Sequence, residues 1–317
     1  MLRKTKNVAE LKKNEEIQDL FVVRFKKPIR EYGGGKYFFT LDVCDRTGEI
    51  MLKYWGSENY DEVKELYDKI QVDDVILVEG YVAEYRGKLE IHASAIEVVS
   101  PENYNPEDFV GKSPRDIDEM VAELKTYISK IKDDDYRKIL ERVFSDDFLK
   151  EFSRAPAAMF KHHNYIGGLI EHTLNMIKIC ERIHEIYREL DLDLMIAGCM
   201  LHDIGKVEEF VVGNTIKMTH RGRLVGHISL GINILMKHLE EMDIPEEKKI
   251  KLIHIIISHH GDPSTGSPKS PMFPEALAVH YADLVDSQIK LMLVHRETAR
   301  TEDDYIYTKD FGTIYLR

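Results

Sequence analysis

Between residues 18 and 100 apolar and polar side chains alternate in short runs broken by turn residues, the period-two signature of strands. Residues 21–25 form one run and 36–43 a second. Asp45-Arg46-Thr47-Gly48 supplies a turn, and 49–55 return from it. A helical stretch is expected near 57–70, then strands over 74–85 and 88–99, joined at Arg86-Gly87. Alternation also assigns faces. In the second strand Tyr37, Phe39, Leu41 and Val43 point toward a core, while Lys36, Phe38 and Thr40 point away. In the third, Ile50, Leu52 and Tyr54 keep the core phase, leaving Met51, Lys53 and Trp55 outward. In the first, Arg24 and Lys26 alternate with Val23 and Phe25.

Residues 101–113 read as a linker by composition, with two prolines, two asparagines and a glycine. Ser113-Pro114 then reads as a helix N-cap followed by proline at the first helical position. From there the apolar period becomes helical: Leu124, Ile128 and Ile131 share a face, as do Ile139, Leu140 and Val143. Residues 192–201 and 250–257 are apolar helices, and no internal repeat is visible. The expected organisation is an all-β domain over 1–100, a linker over 101–113 and an all-helical domain over 114–317. Five strands with a helix after the third is the order of a five-stranded Greek-key barrel, the OB-fold. The segment from Phe38 to Ile50 resembles the nucleic-acid-binding OB family related to anticodon-binding domains.

Composition sharpens this picture. The 317 residues are 43% hydrophobic and 32% charged, an ordinary globular balance. No apolar run approaches the ~18–20 residues that span a bilayer, so no membrane partner is expected. Three scattered cysteines (Cys44, Cys180, Cys199) give neither a disulfide framework nor zinc-knuckle spacing, and the chain reads as cytoplasmic. A net charge of −12 excludes a protein that coats nucleic acid by bulk charge, but not one with a local groove. Residues 1–30 are locally basic, with nine Lys/Arg against four Asp/Glu. Histidine is the informative count: 13 of 14 lie beyond residue 160.

Those histidines sit at helix boundaries and beside acids. Glu171-His172-Thr173 follows Gly167-Gly168, and Leu201-His202-Asp203-Ile204-Gly205-Lys206 closes an apolar helix. Gly226-His227 opens a helix, Ser258-His259-His260-Gly261 ends one, and His280-Tyr281-Ala282-Asp283 follows a proline-rich loop. Helix neighbours project about 100° apart, but at a helix end followed by a glycine such as Gly205 the chain can exit sharply, letting His202 and Asp203 reach one ion. Imidazole with carboxylate suits Mn, Fe, Co, Ni or Zn, and the absence of cysteine disfavours a structural zinc. The order His, His-Asp, His, His-His, Asp resembles the HD-domain metal-dependent phosphohydrolases. That resemblance implies one ion on His172, His202, Asp203 and Asp283. The additional His227, His259 and His260 resemble the subclass with two divalent ions, in which Asp203 bridges. Two ions can clamp the attacking and leaving oxygens of a phosphoester and lower the pKa of bound water from about 15.7 toward about 7.

The stretch His162-His163-Asn164-Tyr165-Ile166-Gly167-Gly168-Leu169-Ile170-Glu171-His172-Thr173 is more specific than the His-Asp pair. Together with residues 201–207, 258–261, Gly266-Ser267-Pro268-Lys269-Ser270-Pro271 and Pro274-Glu275-Ala276 it resembles the YhaM family, over roughly 18–310. The resemblance implies an OB-fold followed by an HD domain, and manganese- or cobalt-supported release of 5′-mononucleotides from the 3′ end of single-stranded RNA, with single-stranded DNA as a second candidate. Lys206, four residues after His202, is a candidate catalytic cation beside Asp203. His162 and His163 are candidate substrate contacts, and His280 a candidate support for a ligand. Glu171 reads as a cap or surface residue, and His184, His238, His254 and His295 as ordinary helix positions. On the barrel, Arg24, Lys26, Phe38, Lys53 and Trp55 are the candidate strand-binding residues, because single strands favour cations with aromatic platforms. A homo-oligomer is open. The histidine set alone also fits a small-nucleotide phosphodiesterase or nucleotidase with a docking OB-fold. A non-catalytic nucleic-acid-binding regulator would be expected to have lost ligands, and none is lost. Residues 310–317 carry no readable motif.

Overall fold

The computed structural model describes residues 2–159, 163–299, 301 and 303–317. The chain forms two compact units, Met1–Gly111 with Gly213–Thr215, and Lys112–Val212 with Ile216–Arg317.

The first unit is a closed five-stranded barrel. Its strands are β1 (Glu16–Tyr32), β2 (Lys36–Asp45), β3 (Gly48–Trp55), β4 (Val75–Tyr85) and β5 (Lys88–Val99), with helix α1 (Tyr60–Lys69) after β3. The order β1-β2-β3-β5-β4 closes by pairing β4 with β1; β3 and β5 run parallel and the other pairs antiparallel. Alternation drives closure: Phe39, Leu41, Val43, Ile50 and Leu52 all point into the core, as the sequence pattern predicts. The side chain of Asn59 caps α1 through the N–H groups of Asp61 and Glu62. Part of the basic N-terminus is internal, since the Lys4 ammonium sits 3.2 Å from the Asp45 carboxylate and donates to the Leu20 carbonyl at 2.7 Å.

The structure departs from the sequence reading in β1. A register shift between Val23 and Phe25 breaks the alternation. Phe25 therefore faces solvent, 56% exposed. Lys26 turns toward the end of α1, where its ammonium donates to the Tyr67 carbonyl (2.5 Å) and to that of Ile70. It occupies the usual place of a cation at a helix C-terminus. Residues 101–111 are not a loose connector either. Tyr104 and Phe109 are buried with Leu20, Val22, Cys44, Val75 and Val99 on the barrel's flank.

The second unit is built from α2 (Ile117–Lys130), α3 (Asp134–Val143), α4 (Asp146–Phe152), α5 (Gly168–Ile186), α6 (Leu192–Leu201), α7 (Lys206–Glu209), α8 (His220–Val225), α9 (His227–Leu239), α10 (Glu246–Ser258) and α11 (Pro274–Thr298). Helix α6 is apolar on every side from Leu194 to Leu201, and all of those residues are buried. It is wrapped by α3, α5, α10 and α11. Asp116, not Ser113, caps α2, accepting from the N–H groups of Asp118 and Glu119. Ser113 lies in the turn before the helix, its hydroxyl accepting the Arg115 N–H at 3.1 Å and donating to buried Glu171 at 2.6 Å. The unit is helical but not purely so: two hairpins, β6 (Phe210–Val212) with β7 (Ile216–Met218) and β8 (Tyr305–Thr308) with β9 (Gly312–Tyr315), interrupt and end it. The stretch 310–317, without a readable motif, thus supplies the second strand of a hairpin whose runs of four residues are too short to be recognised.

Candidate metal centre and aromatic barrel face

Five helices deliver the predicted ligands to one place. His172 lies on the second turn of α5, His202 and Asp203 follow the last residue of α6, and His227 opens α9. His259 and His260 follow α10, and Asp283 lies on α11. The rings of His172 and His202 are 5.4 Å apart, those of His202 and His259 5.0 Å, and those of His227 and His260 5.2 Å. Ligand atoms of His172, His202 and Asp203 fall within 4.8 Å of one another, and so do those of His227, His259 and His260. Asp203 lies between the two groups. One carboxylate oxygen is 3.0 Å from His202 Nε2, the other 3.6 Å from both His227 Nε2 and His259 Nε2. Asp283 approaches His172 Nε2 at 3.3 Å.

Each ring is aimed by its other nitrogen. Nδ1 of His202 donates to the Cys199 carbonyl (2.8 Å), and Nδ1 of His259 to the Ile256 carbonyl (2.7 Å), each three residues back. Nδ1 of His172 meets Asp286 at 2.6 Å, and Asn175 donates to the other Asp286 oxygen at 2.9 Å. Glu209 holds His227 twice, accepting its backbone N–H at 3.0 Å with Nδ1 at 3.3 Å. Orientation through the second ring nitrogen is how ligating histidines are usually held. It leaves His202 Nε2, His227 Nε2, His259 Nε2 and Asp203 Oδ1 buried without a hydrogen-bond partner. Three inward nitrogens and a carboxylate oxygen are an uncompensated desolvation cost that a divalent cation would remove. The donor set therefore fits metal.

Charge follows geometry. Burial disfavours ionised Asp203, yet the His202 ring and the Lys206 ammonium outweigh it and hold the acid well below the usual carboxylate range. Burial likewise opposes a charged Lys206, but Asp203, 2.6 Å away, keeps it protonated. Burial drives His259 and His260 toward the neutral form that can ligate. Gly205 has an ordinary helical conformation (φ −66°, ψ −17°), so it provides no special exit for the chain. Its role is closeness: a Cβ there would lie 1.9 Å from the His227 carbonyl oxygen. The missing side chain lets the start of α9 press onto the His202-Asp203 turn.

On the barrel, Phe38 and Trp55 stack at 5.1 Å between ring centroids, with Tyr32 4.8 Å from Trp55. The row continues through His92, 5.7 Å from Trp55, to Tyr81, whose hydroxyl meets His92 Nδ1 at 3.0 Å. Lys53 lies along it, 4.9 Å from the Tyr85 ring and 2.9 Å from the buried Glu90 carboxylate. Arg24 instead pairs with Glu49 (3.1 Å), and Lys26 is engaged at α1.

Comparison with known proteins agrees on both units. Residues 22–99 match the OB-fold nucleic acid binding domain and residues 169–288 the HD domain. The chain is 36% identical over 259 residues to the 3′-5′ exoribonuclease YhaM of Bacillus subtilis, covering 81% of each chain. It is 35% identical to the Bacillus licheniformis protein of the same name, again over 81% of each. The chain belongs to the YhaM exoribonuclease family. Among solved structures, a domain of replication protein A from Methanococcus maripaludis matches 31% of this chain and 97% of its own, at 25% identity and a TM-score of 0.25.

In this YhaM-family chain the converging histidines and aspartates were visible in the sequence, but two of the residues that hold them, Asp286 and Glu209, were not. Asp286 lies one turn after Asp283, a spacing that would have flagged it. Glu209 had no signal, because its contact with His227 joins α7 to α9. Glu171 is neither cap nor surface residue: it is buried and accepts from Ser113 (2.6 Å) and Tyr165 (3.0 Å). His163 is buried, with φ +52° and Nε2 2.9 Å from Asp286, which puts it behind His172. His162 lies outside the described residues. His280 Nδ1 donates to the His259 carbonyl at 2.7 Å, supporting the α10 end as the sequence suggested.

Proposed function

We propose that this protein is a metal-dependent 3′–5′ exonuclease that removes 5′-mononucleotides from single-stranded RNA, with single-stranded DNA as a secondary substrate. The observation that carries the reading is the convergence of buried, partnerless ring nitrogens on Asp203 in a chain that matches YhaM relatives across both units. Two divalent ions, Mn²⁺ first and Co²⁺, Fe²⁺, Ni²⁺ or Zn²⁺ as alternatives, would supply an activated water and neutralise phosphate charge. His172, His202 and Asp283 would hold one ion, and His227, His259 and His260 the other, with Asp203 shared. A carboxylate has two oxygens to offer, which suits it to bridging. Lys206, buried and held protonated, is the cation available to a scissile phosphate. His163 serves as a support for Asp286 more readily than as a substrate contact.

The aromatic row Phe38–Trp55–His92 with Lys53 is the proposed seat for the strand's bases. Lys26 drops out of that set, its ammonium being occupied at α1. No helix among the described residues is long and apolar enough to cross a membrane, and three buried free cysteines suit the cytoplasm. The test uses 5′- and 3′-labelled single-stranded RNA, incubated with and without Mn²⁺ after chelation. Progressive shortening from the 3′ end with 5′-mononucleotide products is expected. Internal cuts only, or full activity without metal, would refute the reading.

A further inference from the structure

Helix α11 carries Asp283 and Asp286 on its inner side, together with buried Ala276, Val279 and Ala282. Its opposite side is also apolar. Leu277, Tyr281, Val285, Ile289 and Leu293 recur every four residues, all exposed, with Leu284 and Met292 beside them. A helix that is apolar all round is ordinarily covered on every side. Seven such side chains present on the order of 600 Å² of apolar surface, at the upper end of what monomers leave bare. Doubled across a symmetry axis, this exceeds the ~1,000 Å² a specific interface needs.

We propose that this face is a two-fold, antiparallel interface with a second copy of the chain. A two-fold contact uses the same patch on both copies, and the ridge reads the same in both directions about Val285. Antiparallel pairing sets Leu277 against Leu293 and Tyr281 against Ile289, with Val285 meeting its own copy on the axis. Glu275 at one end and Arg296 at the other become neighbours of opposite charge. The hairpin β8–β9 gives an independent reason. An isolated two-stranded hairpin is marginal in water, and this one exposes Tyr305, Tyr307 and Tyr315. It is tied to the end of α11 by the Arg296 guanidinium on the Leu316 carbonyl (3.2 Å) and by His295 near Asp310 (3.5 Å). In the antiparallel register the partner's start of α11, led by Met272 at 78% exposure, arrives beside those tyrosines. Nucleic acid fits this ridge poorly: it has no cation between Leu277 and Leu293 except Lys290, which faces Glu171 at 3.5 Å.

The test is mass in solution, measured on the full chain by light scattering during gel filtration. The native protein should run at twice the 36.8 kDa chain mass, or at an even multiple. Tyr281→Lys and Ile289→Glu should each lower the assembly by a factor of two, and the double variant should restore it, because the two positions face each other only in the antiparallel register. Circular dichroism checks that each variant is folded. Should the charged variants misfold, Val285→Cys decides independently. All native cysteines are buried, so mild oxidation should give a covalent dimer through position 285 alone. A native protein that stays monomeric at ~100 μM, an assembly indifferent to both charges, or no cross-link at 285 would overturn the proposal. None of these outcomes bears on the exonuclease reading.

Discussion

Asp203 is the residue on which the centre turns, and its neighbours decide what each ligand can do. Lys206 lies against it, buried and protonated. Lys206→Ala should reduce turnover at least tenfold while metal content by elemental analysis stays unchanged; wild-type turnover would make it a bystander. Asp286 touches no proposed ion, yet it fixes His172 through Nδ1. Asp286→Asn keeps the size but exchanges an anionic acceptor for a neutral amide. Metal affinity should fall about 10–100-fold by titration calorimetry, since outer partners of ligating histidines have effects of that order. His172 also sets a pH dependence. Burial opposes its charge, but Asp283 and Asp286 outweigh this and push its pKa up to about 9, from about 6.5 in an unfolded chain. A raised pKa means the bound proton stabilises the metal-free fold fully below about 6.5, and that contribution is lost as pH rises through about 9. Melting temperatures in chelator should therefore decline across that window. Added Mn²⁺, which replaces the proton, should flatten the decline; a chelated protein whose melting point is level from pH 6.5 to 9 would contradict this account.

At the scale of elements, the centre exists because helix ends meet, and glycines set how closely. Gly205 brings the start of α9 against the His202-Asp203 turn, where a methyl group would collide with backbone at 1.9 Å. Gly205→Ala should lower stability by about 1–3 kcal/mol, as overpacking does. It should also weaken metal binding by moving His227. A variant with native melting temperature and full metal content would show that α9 can shift freely. These elements also mark what the sequence could reveal. The barrel was legible because alternation in β2 and β3 is uninterrupted, and Phe39, Leu41 and Leu52 fall inward as read. Phe25 was not, because a one-residue bulge reverses the faces that follow it, until a second shift between Lys27 and Arg30 returns Ile29 to the core. Asn59 as the cap of α1 fits local rules. The cap of α2 is Asp116 because the helix begins only at Ile117; Ser113, three residues earlier, accepts the Arg115 N–H in the preceding turn and donates to Glu171. Likewise the candidate ligands were readable, since histidine and aspartate beside helix ends are conspicuous. Glu209 was not, because only tertiary packing brings it to His227. Composition misled at Tyr104 and Phe109, where the neighbouring prolines and asparagines concealed two buried rings.

For the molecule as a whole, two units imply two separable contributions: one to holding a strand, the other to cutting it. On the barrel face Lys53 is shared with Glu90, while Arg30, directly opposite Phe38 in the β1–β2 register, is a cation on the same face as the stacked rings. Burial alone would raise the Glu90 acid, but Lys53 and His92 outweigh it and hold it ionised, so the Lys53 charge is largely neutralised where it lies. Stacking on Phe38 and Trp55 should supply a large part of capture, since each base–aromatic contact is worth about 1–3 kcal/mol. Removing two rings in a Phe38→Ala, Trp55→Ala double variant should cost about 2–6 kcal/mol, or roughly 30-fold to 10⁴-fold in affinity for a long strand. Hydrolysis of a small phosphodiester such as bis(p-nitrophenyl) phosphate needs no strand capture, so its rate should stay within about twofold of native. The two assays together discriminate. Loss of both activities would mean the substitutions damaged folding or the centre. Undiminished RNA affinity would mean the strand is held elsewhere, and the aromatic row would then need another occupant. Because the slope of log affinity against log salt counts phosphate contacts, and neither ring makes one, the double variant should keep the native salt slope while binding more weakly at every salt concentration. A native protein whose binding already falls steeply with salt would indicate that phosphate contacts, not Phe38 and Trp55, supply most of the grip.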